Sequence, residues 1–238
     1  DLSSLKKGLP HDLPLAKIKE VNYYGAGVHN QEKAKIVEDA FRELFPNAQI
    51  EIGHDLLAAA RALLGKEAGF AAILGTGTNS CIYDGEEITH NISSAAYILG
   101  DEGSGSYIGK KLLTDFVRNL MPEDVAKAFY NTYKMTGDEI MDTVYTKPLA
   151  NRFCASFSKF VYDNNVNIEY TRKIVDDSFE AFFANLVSKY PNYQDYTFNC
   201  IGSVGYNFRN VLEEKAIQYG MKVGKILRSP IDDLVKFH

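Results

Sequence analysis

The chain has 238 residues, with 26 Lys and Arg against 31 Asp and Glu and a formal net charge of −5 at pH 7. Its 45% hydrophobic and 24% charged residues are ordinary globular composition, which excludes a disordered or fibrous chain and allows one large domain or two smaller ones. The acidic balance argues against a dedicated nucleic-acid binder, and no apolar run approaches the roughly 18 residues that span a bilayer.

In chain order, Ile18 to Tyr24 predicts a strand that ends in the turn Gly25-Ala26-Gly27. Gln31 to Phe45 predicts an amphipathic helix with Ile36, Val37, Ala40, Phe41 and Leu44 on one face, stopped by Pro46. A short strand at Ala48 to Ile52 and an Ala- and Leu-rich helix at Leu56 to Leu64, closed by Gly65, complete a β-α-β-α unit. Phe70 to Leu74 is apolar throughout, as a buried strand should be. After Gly75-Thr76-Gly77-Thr78 come two strands, Ser80 to Tyr83 and Glu87 to Asn91, joined at Asp84-Gly85 in a hairpin.

Helices are then predicted at Tyr107 to Leu120 and from Pro122. Thr136-Gly137-Asp138-Glu139 has the spacing of a capping box. Two long helices follow, Leu149 to Tyr162 and Ile168 to Tyr190, and the second carries a broad apolar face of core type. The end of the chain predicts a strand at Thr197 to Ile201, a helix at Tyr206 to Tyr219, a strand at Val223 to Leu227 and a short helix from Pro230. The domains expected are the remainder of an N-terminal α/β lobe at 1–68, a C-terminal α/β lobe at 69–228 with a helical insertion at about 121–195, and a terminal helix at 229–238.

Cys81, Cys154 and Cys200 are odd in number, far apart and never in a Cys-x-x-Cys pair. A disulfide framework or structural zinc site is therefore not expected; each cysteine reads as a buried small hydrophobe, as in a reducing cytoplasm. His11, His29, His54, His90 and His238 show no metal-ligand spacing. Asp1-Leu2-Ser3-Ser4 lacks the basic start and apolar stretch of a signal peptide.

Four segments carry candidate chemistry. The backbone amides and hydroxyls of Gly75-Thr76-Gly77-Thr78-Asn79-Ser80 can meet phosphate oxygens, or the segment is a plain glycine-rich turn. A strand and hairpin follow it where a dinucleotide fingerprint needs a helix, and Gly105-Ser106-Tyr107-Ile108-Gly109-Lys110-Lys111 is not a Walker A loop. Asp55, where a strand meets a helix, reads as a helix cap or as a general base. Asp101 and Glu102, between Gly100 and Gly103, read as capping acids or as acceptors for sugar hydroxyls. Gly202-Ser203-Val204-Gly205 reads as a tight strand-to-helix turn or as part of a ligand site.

Taken in order, Asp55-Leu56-Leu57-Ala58-Ala59-Ala60, Gly75-Thr76-Gly77-Thr78-Asn79-Ser80, Leu99-Gly100-Asp101-Glu102-Gly103-Ser104-Gly105 and Gly202-Ser203-Val204 resemble the BadF/BadG/BcrA/BcrD-type ATPase family, on its N-acetylglucosamine kinase-like branch. The ending from Ser229 to His238 resembles that branch too. The resemblance implies an α/β, two-lobed actin-like (ribonuclease H-like) fold in which ATP, with Mg²⁺, and an amino sugar meet in a cleft. It implies Asp55 as the base, Gly75, Thr76, Gly77 and Thr78 as a second phosphate loop, Asn79, Asp101 and Glu102 at the sugar, and Gly202 and Ser203 at the adenosine. The metal ligands stay unassigned. A small-molecule amino sugar is the partner implied, without nucleic acid or membrane, and homodimer formation stays open.

This sequence departs from the family at two places. It has no first phosphate loop of D-G-G-x-T type, and Ser93-Ser94-Ala95-Ala96 stands where the family has a proline and a glycine close to the sugar. Two other functions are open on the same fold. An activator ATPase of a CoA-dehydratase system would need clustered cysteines for an iron–sulfur centre, which this spacing does not supply. A non-catalytic sugar sensor would have no need of Asp55.

Overall fold

The computed structural model describes residues 8–10, 12–28, 31–163 and 165–238; Asp1 to Ser4, His11 and His29 lie outside the described residues. The chain divides into two compact units after Ala58. In the first, β1 (Glu20–Gly25) runs parallel to β2 (Gln49–His54), with Glu20 opposite Gln49 and Gly25 opposite His54. The helix α1 (Gln31–Leu44) makes the crossover that a parallel pair requires. Phe41, Leu44 and Phe45 form this unit's core against Val21, Tyr23, Ile50 and Ile52. Ile36, expected on the buried face of α1, is 64% exposed. The face is narrower than its apolar pattern, because a two-stranded sheet has little area to cover.

The helix α2 (Asp55–Leu64) ends at Gly65 and leads into the second unit. There, five strands lie in the order β5-β4-β3-β6-β7. They are β3 (Gly69–Leu74), β4 (Thr78–Tyr83), β5 (Ile88–His90), β6 (Thr197–Ile201) and β7 (Lys222–Leu227). The first three form antiparallel hairpins, whereas β6 and β7 join in parallel. Between β5 and β6 the chain forms α3 (Ala96–Leu99), α4 (Gly105–Val117), α5 (Glu123–Tyr133), α6 (Gly137–Thr146), α7 (Ala150–Ser156), α8 (Ser158–Asp163) and α9 (Ile168–Asn185). The capping box of α6 is present, with Thr136 Oγ1 accepting the Glu139 amide and Glu139 accepting the Thr136 amide. After β6 come α10 (Ser203–Asn207) and α11 (Arg209–Gln218), and after β7 comes α12 (Ile231–Phe237).

The core lies where α9 covers the sheet. Phe179, Phe182 and Phe183 are buried with Phe70 and Phe198, and Phe198 stacks on Phe70 at 5.7 Å between ring centres. Truncating a buried phenylalanine of this kind typically costs about 3–5 kcal/mol. Tyr190 closes the edge: its hydroxyl donates to the Ser80 carbonyl at 2.8 Å and accepts the Ile92 amide at 3.0 Å. All three cysteines are buried and free.

Several boundaries differ from the sequence expectation. Leu149 to Tyr162 is two helices broken at Phe157, and Tyr206 to Tyr219 is two broken at Phe208. In both, an aromatic ring turns aside at the break to pack, Phe157 against Phe129 and Phe208 against Tyr162. The long helix from Ile168 stops at Asn185 and continues as a 3₁₀ turn over Val187–Lys189.

Candidate functional site

The turn between β3 and β4 is held from one side by the start of α4. The Gly105 amide donates to the Gly75 carbonyl at 2.8 Å, and the Ser106 amide donates to the Thr76 carbonyl at 3.1 Å. A trans peptide sets its N–H opposite its C=O. With both carbonyls spent on α4, the amides of Thr76 and Gly77 face the other way, and among the described residues neither has a hydrogen-bond partner. A side chain built at Gly75 would meet nothing within 4 Å, so there is open space beside the turn at that residue. Adjacent outward amides in a turn form a concavity with partial positive charge, which suits a phosphate oxygen.

Asp101 fixes the far side of the turn. It is 7% exposed and adopts a left-handed backbone with φ 59°. Its Oδ1 accepts the Thr78 amide at 3.2 Å and the Ser94 hydroxyl at 3.0 Å. Its Oδ2 lies 2.9 Å from where a Gly77 side chain would begin, so residue 77 must be glycine for the carboxylate to sit there. Thr78 Oγ1 donates to the Glu102 carbonyl at 2.6 Å. Asp101 does not cap α4: Ser104 is the cap, its hydroxyl accepting the Tyr107 amide at 3.1 Å. Glu102 reaches in another direction, accepting from Asn185 Nδ2 at 2.9 Å. Asn79 Oδ1 accepts from Asn91 Nδ2 at 2.9 Å and from the Ser80 amide, which leaves its own Nδ2 group without a partner among the described residues.

Gly202 completes the group. It has φ +125°, and a side chain there would stand 2.4 Å from the Leu74 carbonyl oxygen. Only glycine lets the end of β6 come this close to the end of β3. Ser203 is exposed at the start of α10. Gly75, Thr76, Gly77, Thr78, Asp101, Glu102 and Gly202 thus form one contact network at the ends of β3 and β6. Ser94 and Ser104 belong to it as well: both lie in segments that the sequence marks, but the sequence singles out neither for a role, which follows from their contacts with Asp101 and with the Tyr107 amide.

Asp55 belongs to the first unit. It is exposed as the first residue of α2, and its Oδ1 accepts the Leu56 amide at 2.9 Å. The neighbouring His54 accepts the Leu57 amide on Nδ1 at 3.3 Å. Burial holds the His54 imidazole below its ordinary pKa, with the Asp55 carboxylate opposing that shift. The helix start is therefore shared between two side chains, and Oδ2 of Asp55 has no partner among the described residues. Among the described residues no three His, Cys, Asp or Glu side chains converge to hold a metal ion.

No protein-family model matches the chain, and neither does any curated protein. Solved structures do. The chain is 39% identical to a provisionally named N-acetylglucosamine kinase from Porphyromonas gingivalis, over 92% of this chain and 77% of that one, with a TM-score of 0.88. A provisionally named N-acetylglucosamine kinase from Chromobacterium violaceum shares the fold at 17% identity and TM-score 0.64, over 100% of this chain and 83% of that one. MamK, solved as a non-polymerising mutant bound to AMPPNP, shares it at 12% identity and TM-score 0.51, over 98% of this chain and 70% of that one. The fold is the actin-like ATPase fold, and the chain belongs to the family of the Porphyromonas gingivalis protein.

Proposed function

We propose that the protein is an ATP-dependent kinase of an amino sugar, N-acetylglucosamine or a related N-acetylhexosamine, of the BadF/BadG/BcrA/BcrD type. The observation that carries this reading is the pair of outward amides at Thr76 and Gly77, held by α4 and by Asp101. It gains support from the name of the Porphyromonas gingivalis relative and from the nucleotide analogue bound by MamK.

Phosphoryl transfer between oxygens needs mainly positioning and charge stabilisation. The Thr76 and Gly77 amides take the transferred phosphate's oxygens, fixed beforehand so that no reorganisation is needed as charge develops. Asp55 accepts the proton of the attacking sugar hydroxyl, as the oxygen–phosphorus bond forms and the bond to the leaving ADP breaks. Asn79 supplies free Nδ2 donors to a sugar hydroxyl or N-acetyl oxygen. Asp101 keeps Oδ2 for sugar hydroxyls while Oδ1 holds the turn. Gly202 and Ser203 take the adenosine. A Mg²⁺ ion would come with the nucleotide phosphates and neutralise their charge, as is usual for it. Three buried free thiols fit a cytoplasmic protein.

The test is ADP release with and without N-acetylhexosamines. Sugar-dependent release is expected, and Asp55→Asn should lower kcat by about 10²–10⁴-fold with the fold intact. Absence of sugar-dependent turnover with every N-acetylhexosamine tried would overturn the reading. A mutant keeping more than a third of the rate would remove Asp55 as the base.

A further inference from the structure

A cavity lies within the helical part of the second unit, and its lining includes no residue of the Gly75 turn. It measures about 650 Å³ and is walled by α3, α4, α6 and α7. That is an ordinary size for a small-molecule site. Leu113 and Val117 of α4 face Ile140, Met141 and Val144 of α6 across it, so its body is apolar.

Its charge is one-sided. Lys110, Thr114 and Arg118 recur every four residues along α4, which sets them on one face at about 6 Å per step. No Asp or Glu lines the cavity, although the chain as a whole carries a net charge of −5. Neither Lys110 nor Arg118 has a carboxylate partner among the described residues. Lys110 is half-buried; its Nζ donates to the Tyr97 carbonyl and lies 5.0 Å from the Tyr97 ring centre and 5.6 Å from that of Tyr107. The Tyr97 wall is fixed in turn by a contact of its hydroxyl with Cys154 Sγ at 3.6 Å. An ammonium group has three donors, and one carbonyl uses only one of them. Burial holds Lys110 below its ordinary pKa, with Asp101 opposing it more weakly. A half-buried cation with donors to spare, beside an aliphatic cavity free of acids, complements an anionic head on an apolar body.

We propose that this cavity binds an amphipathic anion, a carboxylate or phosphate head at Lys110 with an aliphatic body between α4 and α6. The polar stripe of α4 orients the head, and Arg118, exposed two turns further along, attracts the anion at the mouth. The site stands whether or not the protein is a sugar kinase, because none of its walls contains a residue assigned to phosphate or sugar.

Calorimetric titration of the whole chain with octanoate, monooctyl phosphate and 1-octanol tests it. One-site binding of at least one anion is expected, about tenfold or more tighter than 1-octanol, which lacks the charge. Lys110→Met should abolish that preference. Met141→Glu, on a half-exposed position of α6, should weaken the anion about tenfold by repulsion and keep the melting temperature close to the parent's. The second variant decides the matter if the first does not fold. Which anion binds distinguishes a carboxylate from a phosphate head. No binding of either anion, no preference over 1-octanol, or unaltered anion binding in Met141→Glu would each overturn the proposal.

Discussion

The turn at Gly75–Gly77 and the turn at Asp84–Glu87 lie at the two ends of β4, and their backbone amides meet different fates. At Asp84 the turn closes on itself: its own Oδ1 accepts the Glu86 and Glu87 amides, both at 2.8 Å, and the Asp84 amide donates to the Glu87 carbonyl. This is a four-residue connection, where the Asp84-Gly85 pair alone suggested a tighter one. At Gly75 one bond is internal, from the Gly75 amide to the Gly77 carbonyl at 3.0 Å, and the other fixing groups come from elsewhere: α4 takes two carbonyls and Asp101 takes the Thr78 amide, while the Thr76 and Gly77 amides stay open. A turn that satisfies its own donors serves the chain's connection. A turn braced from outside can keep donors for a ligand, and the bracing costs sequence elsewhere, at Gly77, Asp101, Gly105 and Gly202.

The strongest way to break the contrast is at Gly202. Gly202→Val places a branched side chain into the Leu74 carbonyl at a backbone conformation only glycine adopts readily. A loss of about 3 kcal/mol or more is expected, since such strain alone is worth about 1–3 kcal/mol. In a chain of this size that lowers the melting temperature by about 2–4 °C per kcal/mol, and a thermal melt reads it. An unchanged melt would mean that β6 does not press on the turn.

Asp101→Ala comes next. It strands the buried Thr78 amide and the Ser94 hydroxyl, at an expected cost of about 1–3 kcal/mol. Asp101→Asn keeps an acceptor at Oδ1 and should lose less. If Asp101 also holds sugar, both variants raise the sugar KM with the ATP KM little altered. A lower melting temperature with unaltered sugar affinity would confine Asp101 to bracing.

Gly77→Ala is smaller and more specific. Its new methyl carbon would start 2.9 Å from Asp101 Oδ2, so the carboxylate must shift and the turn with it. ADP affinity is expected to fall about tenfold while the fold persists. Calorimetry showing no change in ADP affinity would separate the turn from the nucleotide.

Much of this was legible in local pattern. Hydrophobic period and end signals located the strands and most helices, because a buried strand such as Phe70 to Leu74 or a box such as Thr136 to Glu139 declares itself over a few residues. The glycine motifs marked segments that the fold brings together at the ends of β3 and β6. What local pattern could not show was the direction of each group. Asp101 meets Thr78 across 23 residues of sequence, and that contact, more than helix capping, sets its conformation. The breaks at Phe157 and Phe208 follow from rings packing onto distant partners. Lys110, Thr114 and Arg118 are visible in sequence as a polar stripe, which ordinarily means a solvated helix face. Only the apposition of α6 and α3 turns that stripe into a cavity wall.

The smallest effect belongs to the self-closed turn and depends on pH. The Glu87 amide, then the Glu86 amide, hold the Asp84 carboxylate below its ordinary pKa. A carboxylate depressed in the folded state contributes stability that is fully present above its unfolded pKa and lost as pH falls through the folded one. Asp84 is exposed, so solvent screens the contribution and the turn keeps its Asp84-to-Glu87 backbone bond without the side chain. Asp84→Ala should therefore lower the melting temperature slightly at neutral pH, and the gap to the parent should narrow as pH falls below about 4. The paired melts of parent and variant cancel the acid sensitivity of the rest of the chain. A gap that stays constant down to about pH 3 would show that the aspartate acts through turn conformation and not through its charge. The Gly75 turn, with no carboxylate of its own, should respond to bound anions at neutral pH where the Asp84 turn does not. Amide chemical shifts of Thr76, Gly77, Glu86 and Glu87 on adding inorganic phosphate or ADP would read both turns in one titration. Movement of Glu86 and Glu87 equal to that of Thr76 and Gly77 would erase the distinction.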